Sequence, residues 1–366
     1  MVNVMKLGDS ACLLELPSEL TDPDEIPYLN ACTLQCFAKN KWVILDFSAV
    51  QTMNGLGATM LVKLSVLARR LRQRILATGV SDHYKNVFKV TGLDRAFVIC
   101  RSREEAFGIS GVSVKGLPTQ KVTTAPALDN SFWAMPLVRL NVPPMPLEAI
   151  NRNMDGRRVV GPIEGFGQLW QKKYQLVISK LGITPEDAIK ILTGKFPHFQ
   201  PSYNRFYPTG KGIQRGEVVA IDSSTPGGPV STGVMILYAD DRSFTFITPQ
   251  GHPESGWVTF SAFEFVQKTI VQILGLARAN DPVYEAAFHI VGSKMQVRIW
   301  NHVLTSLATY LGIPADITVE PVCIDSRIQW SQASNVWYNA QIRTIFYMPF
   351  LLLKRASRNR PKSNEK

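Results

Sequence analysis

A short loop rich in asparagine and glycine, residues 51–57, constrains the fold of this chain more than any other stretch. An apolar run typical of a buried strand, residues 42–47, leads into it, and a long amphipathic run leads out. Asn54 is a good helix N-cap, because its side-chain oxygen can accept hydrogen bonds from the first free backbone N–H groups. Gly55 and Gly57 leave the first turn without side chains, so another backbone can approach it. The loop therefore predicts a strand, a tight turn and a helix that begins at the strand's carboxyl end.

The segments that follow continue the alternation of strands and helices. A strand is predicted over residues 75–80 and a short helix over residues 82–89. The stretch resembles the STAS domain, the fold of bacterial anti-sigma factor antagonists. Four pieces carry the resemblance in order: residues 43–47, Asn-Gly-Leu-Gly at 54–57, Val-Thr-Gly-Leu-Asp at 90–94 and Ser-Arg-Glu-Glu-Ala at 102–106. The resemblance implies an α/β domain, a mixed sheet flanked by helices, over roughly residues 8–108.

The resemblance also implies a surface that binds an anti-sigma-type or other regulatory protein during partner switching in transcription regulation. Regulatory STAS domains carry a Ser or Thr, phosphorylated by a kinase, where this chain has Asn54, which cannot accept a phosphate. We therefore expect a partner-binding state that phosphorylation does not switch; a neighbouring hydroxyl, Thr52 or Thr59, is the alternative acceptor. The expected partner-binding residues are Thr52, Asn54, Gly55, Leu56, Gly57, Thr59 and Lys63.

Length and composition predict two folded domains. A chain of 366 residues with 45% hydrophobic residues can form about two cores. Seven prolines between residues 109 and 165 exclude a long helix or a central strand there. The expected organisation is a STAS domain (1–108), a Pro/Gly-rich linker partly packed on the second domain (109–165), a ligand-binding domain (166–338), and an apolar helix with a basic tail (339–366).

The second domain has a different predicted order of helices and strands. Its pattern predicts one strand, a helix capped by Thr184, antiparallel strands over residues 216–277 and a long helix over residues 283–311. This α+β order resembles the helix-grip fold of START-like proteins, and Thr-Pro-Gln-Gly-His-Pro at 248–253 resembles an uncharacterised branch of them. The resemblance implies an antiparallel sheet wrapped round a long C-terminal helix, with a cavity for an apolar molecule or lipid between them. The candidate cavity residues are His252, Arg278, Glu285, Phe288 and Trp300.

Several kinds of site are missing from the sequence. It contains no Gly-Lys-Ser/Thr phosphate loop, no Gly-x-Ser-x-Gly elbow and no His-Glu-x-x-His motif, so we expect no catalytic residues and no cofactor. The five cysteines are odd in number and loosely spaced, which argues against disulfides, and Cys32 and Cys36 lack the further ligands that a metal needs. The sequence carries no secretory signal pattern and no apolar run of about 18 residues, so a cytoplasmic protein is expected.

Positive charge is concentrated at the C-terminal end. Residues 339–366 carry seven basic side chains and one acidic, a net charge of +6 out of +11 for the whole chain. The two domains are therefore close to neutral, which argues against nucleic acid as a partner. Two alternatives stay open for this end: a docking helix with a soluble tail, or an interfacial helix on the anionic inner face of the cell membrane. The membrane-contact candidates are Phe346, Phe350, Lys354, Arg355 and Arg358.

Two functions from different classes fit this organisation. The first is a non-enzymatic regulator, in which the STAS domain binds a protein partner and the second domain binds an apolar ligand. The second is a lipid- or polyketide-binding or transfer protein, or a cofactor-free cyclase or hydrolase, with the STAS domain as an assembly module. An acid–base pair inside the cavity would favour catalysis, and a wholly apolar cavity would favour binding.

Overall fold

The computed structural model describes residues 3–7, 11–21, 41–112, 124–179, 182–288 and 293–358. For Ser293, Leu352 and residues 354–358 it describes the backbone only. The helical spacing of Ile26, Leu29, Cys32 and Cys36 predicts a helix over residues 24–40, and this segment lies outside the described residues.

The N-terminal part is an α/β domain. Its elements are β1 (Asn3–Leu7), β2 (Ala11–Glu15), β3 (Glu19–Leu20), β4 (Trp42–Asp46), β5 (Thr52–Met53), α1 (Gly55–Arg70), β6 (Arg74–Thr78), α2 (Asp82–Thr91), β7 (Val98–Ile99) and α3 (Arg103–Ser110). Five strands form one sheet in the order β1-β2-β4-β6-β7, with β1 antiparallel and the others parallel. Alternate residues of the strands pack on α1 at one face and on α3 at the other.

The start of α1 follows the prediction. Asn54 Oδ1 accepts hydrogen bonds from Leu56 N at 2.9 Å and from Gly57 N at 3.3 Å, so the predicted N-cap is confirmed. A Cβ at Gly57 would lie 2.2 Å from Leu20 O, which is the close backbone approach that the glycine permits.

The C-terminal part is built on a large antiparallel sheet. Its elements are β8 (Val159–Val160), β9 (Leu169–Ile178), α4 (Pro185–Lys195), β10 (Asn204–Pro208), β11 (Val218–Thr225), β12 (Gly228–Ala239), β13 (Ser243–Pro249), β14 (Glu254–Phe265), β15 (Lys268–Ala279), α5 (Pro282–Ala287), α6 (Ser293–Leu311), β16 (Ile317–Asp325) and α7 (Ala340–Arg358). The strand order is β10-β11-β12-β13-β14-β15-β9-β16, and β8 pairs with β13.

The fold class predicted from the sequence, an α/β domain with a mixed sheet followed by an antiparallel sheet packed on a long helix, is confirmed. The helix predicted over residues 283–311 is present as α5 and α6, and residues 289–292 between them lie outside the described residues. The cap predicted at Thr184 is present, and Asp281 caps α5 in the same way, by accepting hydrogen bonds from the first turn of the helix.

The large sheet is buried on both faces. In β11, Val219 and Ile221 belong to the core that packs on α6, whereas Val218 and Ala220 belong to a core shared with α1. Successive side chains of a strand point to opposite faces, so this alternation separates the two cores. The order of layers is therefore the small sheet, α1, the large sheet and α6.

Candidate functional site

A cavity of about 440 Å³ lies between the α6 side of the large sheet and helices α5 and α6. Its wall is mostly apolar, with Phe206, Val234, Phe246, Val258 and Ile299 among the lining residues. The volume falls within the range of roughly 300–1,000 Å³ that small-molecule sites occupy. The large sheet and its helices therefore enclose a space suited to an apolar molecule.

The five cavity candidates fall into two groups. His252, Phe288 and Trp300 line this larger cavity. Arg278 and Glu285 line an adjoining smaller cavity of about 340 Å³, whose wall Phe288 shares. The structure thus brings the five residues to one region, on both sides of a common wall.

Arg278 is surrounded by protein acceptors. Its Nη2 donates to Asp325 Oδ2 at 2.7 Å, and its Nη1 donates to the carbonyl oxygens of Gly167 and Arg327 at 2.7 and 3.0 Å. Its Nε donates to Pro162 O at 3.1 Å. These bonds tie the end of β15 to the end of β16 and to the segment before β9, which is a structural task.

Three polar residues besides the five cavity candidates lie where the two cavities meet: Lys172, Glu254 and Gln296, called here the polar row. Gln296 Nε2 donates to Glu254 Oε2 at 3.0 Å, and Lys172 Nζ donates to Gln296 Oε1 at 2.5 Å. Burial raises the pKa of Glu254, and the nearby Lys172 charge opposes that shift. Burial lowers the pKa of Lys172, which the Glu254 charge opposes in turn.

Strand and helix phase could have revealed these residues. In β9, Lys172 shares its side of the strand with Tyr174 and Leu176, which belong to the core around α6. Gln296 lies one turn before Trp300 on the same stripe of α6. A polar residue in the apolar phase of an element is therefore the signal to look for.

His252 stands beside the polar row in its neutral form. Its Nδ1 lies 3.0 Å from the backbone nitrogen of Glu254 and 3.1 Å from the carbonyl oxygen of the same residue, so it can accept from the first or donate to the second. Burial lowers the pKa of His252 to about 4, with the Glu254 carbonyl opposing the shift. The wall of the larger cavity is therefore mostly apolar, and His252 and Glu254 bring a neutral imidazole and a carboxyl group to one end of it.

The expected partner-binding surface of the STAS domain is covered by the second domain. A Cβ at Gly55 would lie 2.2 Å from Thr245 Oγ1 and 2.3 Å from Thr259 Oγ1, both on the large sheet. Trp257 Nε1 donates to Thr59 Oγ1 at 2.8 Å. One turn further along α1, Lys63 Nζ donates to Gln171 Oε1 of β9 at 3.0 Å.

The remaining partner-binding candidates lie at the start of α1. Asn54 and Leu56 are buried, and Gly57 packs against the backbone of β3. Thr52 is half-buried in β5, which pairs with β3. Because Gly55, Thr59 and Lys63 repeat every fourth residue, they form one stripe on α1, called here the docking stripe.

The linker is also in contact with this loop. Asp129 Oδ2 accepts from Met53 N at 2.9 Å and from Trp133 Nε1 at 3.1 Å. Tyr84 OH donates to the other carboxylate oxygen at 3.1 Å. The backbone N–H groups of Ala125 and Leu128 donate to carbonyls of the same loop region at 2.8 Å each. Residues 124–134 therefore fasten the loop before α1 to both domains.

Helix α7 places the described membrane candidates on its outer side. Phe346, Phe350 and Leu353 are exposed by 74%, 67% and 70% and follow one helical stripe. The side chains of Lys354, Arg355 and Arg358 are not among those described. No helix among the described residues is long and apolar enough to cross a bilayer. The described residues also contain no cluster of His, Cys, Asp or Glu arranged to hold a metal ion.

Comparison with known proteins supports the N-terminal assignment. Residues 5–106 match the family model of the STAS domain, so the resemblance seen in the sequence is confirmed for that part of the chain. A search of curated proteins found no match.

Three solved structures illustrate the likenesses of fold. The first is the di-domain ARO/CYC StfQ from the steffimycin biosynthetic pathway (12% identity, TM-score 0.31), with 40% of this chain aligned to 53% of that chain. The second is the anti-sigma factor antagonist SpoIIAA in its unphosphorylated form (15% identity, TM-score 0.27), with 31% of this chain aligned to 99% of that chain. The third is major latex-like protein 151 from Panax ginseng (17% identity, TM-score 0.28), with 40% of this chain aligned to 100% of that chain. The chain thus spans about half the length of the first, and at these values the likenesses carry no argument about function.

Proposed function

We propose that this chain is a non-enzymatic regulatory protein whose second domain binds an apolar small molecule. The observation that carries the proposal is the cavity of about 440 Å³, lined mainly by apolar side chains, between the sheet and α6. Burial of apolar surface stabilises a bound molecule by about 25 cal/mol for each Å² removed from water. The STAS domain, in the same proposal, binds an anti-sigma-type or other regulatory protein through the surface around Asn54.

The packing of the docking stripe supports a link between these two activities. The large sheet offers one face to the cavity and the other to α1, and Trp257 both lines the cavity and bonds to Thr59. A protein partner at the docking stripe would have to replace the large sheet. The second domain therefore competes with the partner for the same surface.

Filling the cavity is expected to abolish ligand binding. Gly275 lines the cavity, and the closest atom to a Cβ placed there is Lys172 O at 4.0 Å, so Gly275→Leu extends into open space within a strand. We expect the wild-type protein to enhance the fluorescence of the uncharged dye Nile red and Gly275→Leu to lose most of that enhancement. The matched control is Gly194→Leu, at an exposed site in α4 where a Cβ meets no atom within 4 Å. Equal enhancement in all three proteins would contradict a binding cavity.

Cofactor-free catalysis is the second candidate function. It is favoured by the position of His252 and Glu254 at one end of the cavity, because cyclisation or hydrolysis without a cofactor needs a general acid or base. A neutral imidazole at pH 7 can act as the base. Conversion of a bound molecule by the wild-type protein but not by His252→Ala would move the proposal from regulator to enzyme.

We propose in addition that the C-terminal end contacts an anionic membrane surface, because the exposed stripe on α7 leads into the basic residues of the tail. The full chain is expected to sediment with vesicles of phosphatidylglycerol and phosphatidylcholine, and less with phosphatidylcholine alone. Phe346→Ser combined with Phe350→Ser should weaken binding at least about tenfold, since burial of a phenyl ring contributes roughly 1.5–3 kcal/mol. The control replaces Val138 and Leu147, two exposed apolar residues far along the chain from α7. Equal sedimentation of both variants would contradict contact through α7.

A further inference from the structure

The polar row lies in the wall between the two cavities. Glu254, Gln296 and Gly275 line both the larger and the smaller cavity, while Lys172 lines the smaller one. Gly275 leaves open space beside the row, because no side chain fills the position. The polar row therefore offers hydrogen-bonding groups to a molecule at this end of the larger cavity.

The charges of the row are balanced. Gln296 bridges the Lys172 ammonium and the Glu254 carboxyl group through its amide, donating to one and accepting from the other. Among the described residues that line the larger cavity there is no lysine or arginine. A carboxylate or phosphate in that cavity would therefore lack a cation of its own, and burial of an unpaired charge costs several kcal/mol.

Two further polar atoms point to a ligand with a hydrogen-bonding group. Thr232 Oγ1 and Trp300 Nε1 belong to residues that line the larger cavity. Both atoms are buried, and neither has a hydrogen-bond partner among the described residues. Buried polar atoms normally have a partner, and an indole N–H can only donate. An oxygen atom of a bound molecule would supply the missing acceptor.

We infer that the cavity takes an uncharged amphiphile: an apolar chain or ring system that carries a hydroxyl or carbonyl group. The polar group hydrogen-bonds at the cavity's polar end, while the apolar part lies against the aromatic and aliphatic wall. This inference rests on the proposed binding function and names the chemical class of its ligand.

The test compares two probes that differ only at the polar end, 1-dodecanol and dodecanoate, in calorimetric titrations of the full chain near pH 7.5. Dodecanol is expected to bind at least about tenfold more tightly, because dodecanoate has to lose the hydration of its charge. Tighter binding of dodecanoate would overturn the inference and leave the proposed binding function in place. Failure of both probes to bind would contradict the binding function itself.

A charge variant gives a second, independent readout. Glu254→Gln keeps the shape of the side chain and removes its negative charge, so the net charge of the polar row becomes more positive. We expect the ratio of affinities to shift towards dodecanoate by about tenfold. Gly275→Leu should weaken both probes equally, because it fills space without changing charge. An unchanged ratio in Glu254→Gln would show that the polar row does not select the ligand.

Discussion

Gly55→Ala is expected to destabilise the whole chain by about 1–3 kcal/mol, because the new methyl group cannot be accommodated between α1 and the large sheet. The added Cβ would lie within 2.3 Å of the hydroxyl oxygens of Thr245 and Thr259, which are 3.0 Å from each other. Space for it arises if the docking stripe moves away from the sheet or if the buried Thr245 and Thr259 side chains rotate out of their hydrogen bond. Denaturant unfolding measures the lost stability, and hydrogen exchange along α1 measures the loosened docking.

Two further variants separate the clash from other effects. Gly108→Ala in α3 adds the same methyl group where no atom lies within 4 Å, and should stabilise by roughly 0.5–1 kcal/mol because glycine disfavours a helix interior. Thr245→Ala and Thr259→Ala, introduced together with Gly55→Ala, remove the atoms in the way and should restore most of the stability. A Gly55→Ala chain as stable as the wild type would refute the tight packing of the two domains at this helix.

Arg278→Met is expected to cost about 3–5 kcal/mol of unfolding free energy, since it leaves the buried Asp325 carboxylate without its closest cation. The Arg278 side chain is fully buried, whereas that of Arg327, the second cation on Asp325, is 48% exposed. Arg327→Met is therefore the matched control, with a loss of about 1 kcal/mol or less. If Arg278 contacted ligand instead, the variant would lose affinity for a cavity probe and keep its stability.

The same ion pair predicts acid sensitivity. Burial alone would raise the pKa of Asp325, but hydrogen bonds from Arg327 and Arg278 outweigh burial and hold the pKa at about 2. The unfolded value is near 3.9, so the pair's contribution is fully present above about pH 4 and is lost as the pH falls towards 2. Unfolding free energies at about pH 5 and pH 2.5 should differ less in a double variant, Arg278→Met with Asp325→Leu, than in the wild type. The same difference in both proteins would contradict the assignment.

Local signals explain what the sequence could predict. The cap at Asn54, the glycine that meets Leu20 and the turns between neighbouring strands all depend on residues close in the chain, so pattern and spacing identify them. The polar row depends on distant residues: Glu254 and Gln296 are 42 positions apart, and Lys172 and Gln296 are 124 apart. Their convergence follows only from the strand order of the sheet.

The packing of α1 against the large sheet could not be predicted from local sequence patterns either. The resemblance to STAS domains implies an outside protein partner at the docking stripe, whereas in this structure the large sheet packs against it. The signal that pointed to an internal contact lay in the second domain, in the unbroken apolar run of Val218–Ile221. A strand without polar alternation is buried on both faces, so the large sheet needed a cover that its own helices do not provide.

Because its side chains point alternately to the two faces of the sheet, β14 contributes to the cores of both domains. Val258 and Phe260 face the core around α6, while Trp257 and Thr259 face α1. A substitution on one face of β14 that moves its backbone also changes the packing on the other face. Substitutions in one domain therefore limit those that the other domain tolerates. A descendant that lost the STAS half would expose an apolar sheet to water and would have to rebuild that face before it could stay in solution. Separation of the two halves therefore requires compensating substitutions on the exposed face of the large sheet.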